Sequence, residues 1–527
     1  MNADNPFNAI SSRITPPSTP RAATGISGLD EILGGGFPCH HLYLVQGDPG
    51  VGKTTLSLQF LLEGARQGET GLFITLSEGR DELNTVAASH GWSLEGIHVF
   101  ELSAVEDSLD EKHHYTVFHP SEVELGAATR LLLDEVERVK PARVVLDSLS
   151  ELRLLAQDPL RYRRQILAFK QYFSGKNCTV LMLDDNSETG DLQVQSLAHG
   201  VLLLKHDTPD YGTERRRLRV VKLRGARFRG GEHAFNIETG GLEVFPRLIA
   251  AEHHRPYQRE VIKSGLPELD VLLGGGLEFG TSALIMGPAG VGKSTLTNLY
   301  ARTITERDEC ATIFIFDETQ ETMFTRAAGL GIDLRGLVEK GNLTIHPVDP
   351  AQLAPDEFSH LVRAEVEENN ARLIIIDSLN GYLNSMPGER FLIVQLHELL
   401  TYLAQQGVLT LLVMSQHGLM GSSMNSPLDL SYISDSVMLM RYFEHGGRVH
   451  QAISVLKKRS GSHEHTIHEF RMSPAGVEVG KPLEEYQGVM TGVPVYRGKS
   501  AMIENTHDQE ASNSYINSAG HGEGTQP

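Results

Sequence analysis

Two stretches of the sequence place glycines, a lysine and a hydroxyl residue at a spacing suited to binding phosphate groups. They are Gly47-Asp48-Pro49-Gly50-Val51-Gly52-Lys53-Thr54-Thr55 and Gly287-Pro288-Ala289-Gly290-Val291-Gly292-Lys293-Ser294-Thr295. Both fit G-x-x-x-x-G-K-[ST], the P-loop, in which successive backbone N–H groups face phosphate oxygens at a helix N-terminus. We expect Lys53 and Lys293 to reach the β- and γ-phosphates of ATP, and the hydroxyls of Thr54 and Ser294 to ligate Mg²⁺. A glycine-rich turn that binds nothing is the alternative, and the second copy argues against it.

Aspartates end two apolar, strand-like runs downstream of the P-loops. These runs are Arg143 to Asp147 and Arg372 to Asp377. A buried parallel strand that delivers a carboxylate at its C-terminal end is the Walker B pattern, and the carboxylate is directed towards Mg²⁺. The sequence therefore predicts that Asp147 and Asp377 complete two magnesium sites.

Other strand-end acids are candidates for the chemistry of phosphate transfer. Hydrolysis needs a group that orients or deprotonates the nucleophile, and we assign Glu78, Asp317 and Glu318 to this role. Ser77 stands beside Glu78, so the first half keeps one carboxylate where the second half has two adjacent ones. A further strand-like run in each half ends in residues that we expect near the γ-phosphate, namely Asp184-Asp185 and Ser415-Gln416.

Two late basic triplets could stabilise negative charge on the γ-phosphate. They read Lys222-Leu223-Arg224 and Lys457-Lys458-Arg459. Residues i and i+2 of a strand point to the same face, so the outer cations of each triplet are expected to act together. Their position late in each half suits cations that reach into the site of a neighbouring subunit. The alternative is a solvated basic edge.

The elements that must position these residues are repeated along the chain. Each P-loop follows an apolar strand-like segment and precedes a helix-like run, and Lys293 lies 240 positions after Lys53. The same offset relates the stretches that begin Thr24-Gly25 and Ser264-Gly265. Strands that alternate with helices predict two α/β domains with mainly parallel sheets. We predict a flexible leader over 1–21, a first domain over 22–247, a linker over 248–260, a second domain over 261–497 and a disordered tail over 498–527.

Composition narrows the class of protein. The chain has 527 residues, three cysteines without metal spacing and a formal net charge of -20. We expect a reduced, cytoplasmic setting, because no signal peptide or spanning apolar segment is visible. The negative charge disfavours general binding to nucleic acid.

The paired motifs resemble the KaiC family of the RecA superfamily. The resemblance rests on the two P-loops, on Thr24 to Asp30 with Leu33 to Gly36, on their counterparts in the second half, and on Lys222 to Gly225. It covers roughly residues 20–497. It implies two tandem RecA-like P-loop NTPase domains, a homohexameric double ring and ATP held between subunits, so that the basic triplets act in trans. It also implies a slow ATPase in the first domain, and an ATPase that phosphorylates its own serine and threonine in the second.

The resemblance transfers roles to particular residues. The paired catalytic glutamates of the family fall on Ser77-Glu78 and Asp317-Glu318, so neither pair is intact. Its serine acceptor matches Ser431, and Tyr432 stands where threonine is expected. A phenolic oxygen lies further from its backbone than a threonine hydroxyl does, which puts a two-site phosphorylation cycle in question.

The resemblance also implies partners. The stretch 480–497 resembles the C-terminal segment that exposes a tail for an activating partner. KaiA-like and KaiB-like adaptors, or a signalling kinase, are therefore candidate partners.

Two other functions stay open at this point. A RecA-like recombinase or helicase is suggested by the basic run Glu214 to Arg229, in which Phe228 is the one aromatic residue that could stack on a base. A nucleotide-gated scaffold without kinase activity is suggested by the reduced acid pair of the first domain. The interpretation we prefer is a KaiC-like ATPase with serine autokinase activity in timing or stress signalling.

Overall fold

The computed structural model describes residues 20–102, 120–185, 192–208, 212–349, 351–384, 391–416, 431–489 and 494–496. The chain divides into two compact units. One comprises Met1–His253, Asp349–Glu368 and Ser385–Tyr402, and the other His254–Val348, Asn369–Asn384 and Leu403–Pro527. Residues 1–19 of the predicted leader and the whole predicted tail lie outside the described residues.

The first unit is built around a nine-stranded sheet with the order β11-β10-β9-β8-β3-β7-β6-β4-β5. The strands from β8 to β5 in this order are parallel, and β9, β10 and β11 continue the sheet as an antiparallel meander. The strands are β3 Leu42–Gly47, β4 Gly71–Thr75, β5 Ile97–Glu101, β6 Arg143–Asp147, β7 Thr179–Asp185, β8 Gly200–Asp207, β9 Arg215–Leu223, β10 Glu232–Glu238 and β11 Gly241–Phe245. A short pair, β1 Arg21–Ala22 and β2 Phe37–Pro38, precedes them.

The second unit repeats this plan in the order β16-β15-β17-β18-β14-β19-β20-β21-β22. The strands are β14 Ser282–Gly287, β15 Cys310–Ile315, β16 Leu343–Pro347, β17 Ala371–Asp377, β18 Leu409–Ser415, β19 Ser436–His445, β20 Arg448–Lys458, β21 Ile467–Ser473 and β22 Gly476–Pro482. Short pairs form between β12 Val261–Ile262 and β13 Leu277–Glu278, and between β23 Tyr486–Gln487 and β24 Val495–Tyr496. The predicted pair of α/β domains with mainly parallel sheets is confirmed.

Helices connect the parallel strands. In the first half they are α1 Ser27–Leu33, α2 Lys53–Arg66, α3 Arg80–Ser89, α4 Pro120–Val139, α5 Leu149–Ala156, α6 Pro159–Ser174 and α7 Leu192–Leu197. A 3-10 turn, Ala250–Glu252, follows. In the second half they are α8 Pro267–Leu272, α9 Lys293–Thr305, α10 Gln320–Ala328, α11 Leu334–Glu339, α12 Pro355–Glu367, α13 Leu379–Asn384 and α14 Leu392–Gln405.

The central strands are buried on both faces. Along β3, Tyr43 and Val45 pack into one apolar cluster, while Leu44 packs into another on the opposite face. Each of these three side chains is fully buried at 0% exposure. Helices on both sides of a parallel sheet produce this pattern, and they leave the C-terminal strand ends as the place where a ligand can bind.

The repeated motif that opens each half has a structural role. The Asp30 carboxylate accepts hydrogen bonds from the Thr24 backbone N–H at 2.8 Å and from its hydroxyl at 2.9 Å. Asp270 accepts the same pair from Ser264, at 2.7 and 2.8 Å. Both hydroxyl residues are fully buried at 0% exposure. The motif therefore fixes the first helix of each domain to the segment before it.

Candidate nucleotide sites

Both P-loops lie between a buried strand and a helix, as the sequence predicts. Gly52 and Gly292 cap the following helices with φ values of 107° and 108°. A β-carbon on Gly52 would lie 2.6 Å from a side-chain carbon of Ile237, and one on Gly292 would lie 2.7 Å from the ring of Phe470. At Gly50 a β-carbon would meet nothing within 4 Å, so the curled loop opens outwards. The loop is therefore a cradle whose inner glycines are required by both conformation and space.

The two P-loop lysines differ in their partners. Lys53 Nζ donates to the carbonyls of Gly47 at 2.7 Å and Asp48 at 3.1 Å, and to Asp185 Oδ1 at 2.9 Å. Lys293 Nζ donates to the carbonyls of Gly287 at 2.9 Å and Pro288 at 2.7 Å. Burial lowers the pKa of Lys293 to about 8.

The Walker B aspartates lie beside the P-loop hydroxyls. Thr54 Oγ1 donates to Asp147 Oδ2 at 3.0 Å. Burial raises the pKa of both Asp147 and Asp377, and a hydrogen bond from Ser294 opposes the shift at Asp377. Asp377 Oδ2 is a buried oxygen without a hydrogen-bond partner among the described residues. Carboxylate and hydroxyl oxygens are the ligands that Mg²⁺ prefers, so the donors in both sites fit this ion.

The first site contains a half-buried glutamate with a strongly shifted pKa. Burial, together with the negative charges of Asp147 and Glu82, raises the pKa of Glu78 to about 7. Thr75 fixes the backbone of Glu78 through bonds of 2.9 Å to its N–H and 2.8 Å to its carbonyl. Glu78 Oε2 is buried and has no hydrogen-bond partner among the described residues. A carboxylate with these properties can accept a proton near neutral pH.

In the second site both acids are paired with neighbours. Arg326 Nη2 lies 2.6 Å from Glu318 Oε1, and the Ser378 hydroxyl donates to Asp317. Burial raises the pKa of Glu318, and the Arg326 charge opposes this shift. The second site thus holds its two carboxylates in fixed positions.

The outer cations of the basic triplets bind the same segment in both domains. Lys222 Nζ donates to the Gln195 carbonyl, and Arg224 Nη2 donates to the Ser196 carbonyl at 2.8 Å. These carbonyls belong to α7, which lies directly before β8.

In the second domain the corresponding segment contains the predicted acceptor. Lys457 Nζ donates to the carbonyls of Ser431 and Ser434, at 2.6 Å each. Arg459 Nη2 donates to the Tyr432 carbonyl at 2.7 Å.

The middle residues of the triplets point elsewhere. Leu223 is part of the core, at 6% exposure. Lys458 Nζ donates to the carbonyls of Leu273 and Gly276, at 2.7 and 3.0 Å. The alternation of a strand accounts for this division between outer and middle residues.

The candidate acceptor segment is accessible only in part. Ser431 is half-buried, and Tyr432 is 57% exposed. Ser434 and Ser436 are 0% and 1% exposed. Only Ser431 and Tyr432 of these four therefore present their side chains at the surface of the chain.

A comparison with known families decides the class of protein. The sequence model of the family described as "ATPase: KaiC" matches residues 22–249 and 262–484. The chain belongs to the KaiC ATPase family. Circadian clock protein KaiC3 of Synechocystis sp. is 27% identical over 490 residues, which cover 90% of this chain and 95% of that protein. Circadian clock oscillator protein KaiC of Nostoc sp. is 26% identical over 477 residues, which cover 89% of this chain and 91% of that protein.

Membership of the KaiC family agrees with the observed fold, and the resemblance deduced from the motifs is confirmed. Both P-loops lie within the matched ranges, and a KaiC-type ATPase implies ATP binding. In the part of the chain that the structure describes, we find no helix with the length and apolar character needed to cross a membrane.

One residue that shapes the first site was not singled out by the sequence. Arg143 begins β6, is 1% exposed, and donates to the carbonyls of Ala23 at 2.6 Å and Phe60 at 2.7 Å. Its Nε donates to Glu69 at 2.5 Å. Arg143 therefore joins the Walker B strand, the P-loop helix and the segment before α1. A charged residue at the start of an apolar strand was the available signal.

The strands that follow the Walker B strands end at matching positions in the two sheets. The register pairs Gly47 with Asp185 and Gly287 with Ser415. Asp184 is fully buried and forms an ion pair with Arg153 at 2.8 Å. That these strand ends lie near the γ-phosphate stays a prediction.

Proposed function

We propose that both domains hydrolyse ATP with Mg²⁺, and that the second also phosphorylates the chain itself on Ser431. One observation carries this proposal: each domain places a P-loop lysine, a P-loop hydroxyl and a Walker B aspartate at the same C-terminal edge of its sheet. Thr54 with Asp147, and Ser294 with Asp377, would hold the ion.

The residues of the first site divide the work of hydrolysis. The glycine cradle and Lys53 bind and orient the triphosphate, which fixes the γ-phosphorus for in-line attack. Bound Mg²⁺ would neutralise charge on the phosphate oxygens. Glu78 accepts the proton of the attacking water, because a pKa of about 7 leaves a large ionised fraction at neutral pH.

In the second site, Asp317 and Glu318 would orient the attacking group. Glu318 is paired with Arg326 and Asp317 with Ser378, so these contacts hold both carboxylates in place. A serine hydroxyl from an adjoining copy could replace water as the nucleophile, which would convert hydrolysis into phosphoryl transfer.

Ser431 is the acceptor we favour. Its side chain is half-buried, whereas Ser434 is fully buried and its hydroxyl is not accessible to ATP. Tyr432 is exposed, but its phenolic oxygen lies further from its backbone than a serine or threonine hydroxyl does, and in-line attack tolerates little misplacement. The kinase assignment therefore concerns one site.

We further propose a homohexamer with ATP between subunits, in which Lys222, Arg224, Lys457 and Arg459 contact the nucleotide of the neighbouring copy. In each domain these cations are also bonded to the segment that directly precedes β8 or β19, the strand beside the P-loop strand. A phosphate that attracts Lys457 would thereby act on the backbone that carries Ser431. Nucleotide state and acceptor position would be coupled.

The biological role we propose is timing or stress signalling through partner docking in the cytoplasm. The named relatives are circadian clock proteins, which favours a timing role. KaiA-like and KaiB-like adaptors, or a signalling kinase, are the partners this role would require.

The experiment is incubation of the full chain with γ-labelled ATP and Mg²⁺, followed by measurement of released phosphate and mapping of label. We expect label on Ser431, which Ser431→Ala should remove while phosphate release continues. Ser434→Ala serves as the matched control and should keep the label. Lys53→Ala with Lys293→Ala should abolish both signals. Label at neither Ser431 nor Tyr432 would remove the kinase assignment and leave the ATPase.

The nucleic-acid motor has less support from the structure than from the sequence. In the basic run, Arg216 is 2.5 Å from Glu214, Arg217 is 3.3 Å from Glu232, and Arg229 pairs with Glu31 at 2.7 Å. Carboxylates thus neutralise part of the positive charge that would bind the phosphates of DNA. Tight binding of single-stranded DNA with a steep salt dependence would favour the motor.

A scaffold gated by nucleotide is the other alternative. It would bind ATP at both P-loops and undergo assembly, but it would release no phosphate and incorporate no label. The same experiment, with a nucleotide-binding measurement added, separates it from an enzyme.

A further inference from the structure

An ion pair at the first P-loop distinguishes the two nucleotide sites. Asp185 is the last residue of β7, and its Oδ1 lies 2.9 Å from Lys53 Nζ. Asp185 therefore occupies one of the three N–H donors of the lysine, while the carbonyls of Gly47 and Asp48 accept from the other two.

The second site has a different residue at the matching position. The register of the strands places Ser415 beside Gly287 as it places Asp185 beside Gly47. Lys293 keeps both carbonyl bonds of its counterpart. Within the described ranges, no carboxylate forms a salt bridge with Lys293.

Asp185 is held in position from several sides. Ser150 Oγ donates to Asp185 Oδ2 at 2.7 Å, so its two carboxylate oxygens bind different donors. The preceding Asp184 is anchored by Arg153, with both carboxylate oxygens within 2.9 Å of Nη2. Although burial raises it, hydrogen bonds from Ser150 and Lys53 hold the pKa of Asp185 below its usual value. Asp185 is thus a fixed anion at this strand end.

A fixed anion on the P-loop lysine resembles the ligand that the lysine should bind. The lysine of a P-loop donates to β- and γ-phosphate oxygens. When the cradle holds a triphosphate, the Asp185 carboxylate must give up Lys53 or remain beside a group of the same charge, and either outcome weakens binding.

We propose that Asp185 competes with the phosphates of ATP for Lys53 and so sets a lower ATP affinity in the first site than its P-loop alone would give. Asp185 determines affinity and takes no part in the chemical step. This inference rests on the proposed binding of ATP at the first P-loop. It makes the two domains respond to different ATP concentrations although their cradles match.

The test is calorimetric titration of the full chain with a non-hydrolysable ATP analogue and Mg²⁺. Lys293→Ala is the background that isolates the first site. In this background we expect Asp185→Asn to tighten binding about tenfold, the effect of removing one charged hydrogen-bond competitor. Asp134→Asn is the matched control, because it removes the same charge from an exposed position of α4 and should leave the dissociation constant unchanged.

The reciprocal variant gives an independent measurement. In a Lys53→Ala background, Ser415→Asp places a carboxylate at the matching position of the second site, and we expect binding there to weaken about tenfold. An unchanged dissociation constant in Asp185→Asn would overturn the inference. So would normal binding with loss of hydrolysis in Asp185→Asn, because that result makes Asp185 a catalytic residue. If neither the wild-type first site nor its Asp185→Asn form binds the analogue, ATP binding at this P-loop is itself wrong.

Discussion

Replacing Arg143 with methionine tests how the first nucleotide site is held together. The guanidinium is almost completely buried, and its donors reach Ala23, Phe60 and Glu69. Methionine keeps a similar length and apolar stem but has no donor. The substitution therefore removes the hydrogen bonds while leaving much of the packing in place.

The loss in the free energy of unfolding can be calculated from the acceptors that Arg143→Met leaves without a donor. Two carbonyl oxygens lose their donor, and an unsatisfied buried acceptor costs about 1–3 kcal/mol. Glu69 is 37% exposed, so water can replace Arg143 there and adds little. We therefore expect the free energy of unfolding to fall by about 4 kcal/mol, the middle of the range for two such acceptors. For a domain of this size the melting temperature should fall by roughly 8–16 °C.

The assay is a thermal unfolding scan of the full chain, with Arg372→Met as the matched control. Arg372 starts the equivalent strand, but its side chain is 29% exposed and makes a carbonyl bond of 3.0 Å to Gly407. It also lies over the ring of Phe279 at 4.0 Å, so we expect a loss of about 1–2 kcal/mol. Equal shifts for the two variants, or a loss below about 1 kcal/mol for Arg143→Met, would refute the argument.

Three further outcomes test the two sites. A base must be ionised to act, and the pKa of Glu78 is raised to about 7, so hydrolysis by the first site should increase from about pH 6 to 8. Glu78→Gln should abolish this pH dependence. An unchanged pH profile in that variant would contradict the assignment of Glu78 as the base. Gly292→Ala would place a β-carbon 2.7 Å from an aromatic carbon at a φ of 108°, so nucleotide binding to the second site should be lost in a filter-binding assay, while the first site still binds. Lys457→Met should lower labelling of Ser431 at least about tenfold, because misplacement of a nucleophile is poorly tolerated. Lys457→Arg should restore part of this labelling. Full labelling of the methionine variant would argue against coupling between the nucleotide and the position of Ser431.

The sequence was sufficient for features that depend on local backbone chemistry. The P-loops were identified because glycines, lysine and hydroxyl at fixed spacing need no knowledge of the tertiary fold. The strand-end positions of Asp147 and Asp377 followed from apolar runs of the right length. The constant offset between the halves then predicted two similar domains.

Features that depend on strand register or burial were not accessible in the same way. The alignment of Asp185 with Ser415 is fixed by which residues pair across the sheet, and a one-residue shift leaves the sequence pattern equally plausible. Similarly, the sequence does not distinguish the four hydroxyl residues Ser431, Tyr432, Ser434 and Ser436 by their accessibility. Only packing shows that Ser434 is enclosed, while Tyr432 faces outwards.

The order of strands in the second sheet gives the proposed ring a further property. β14 ends in the P-loop, β19 lies beside it, and β20, which carries Lys457, lies beside β19. Adjacent strands are about 4.8 Å apart, so the strand that receives one nucleotide lies only about 10 Å from the strand that serves the next. In a closed ring, the three adjacent strands of each subunit would connect its own nucleotide site to the site of the neighbouring subunit that Lys457 contacts. A displacement at the first site would therefore be transmitted to the second. ATP turnover in such a ring would be cooperative, because hydrolysis at one nucleotide site would change the activity of the adjacent site.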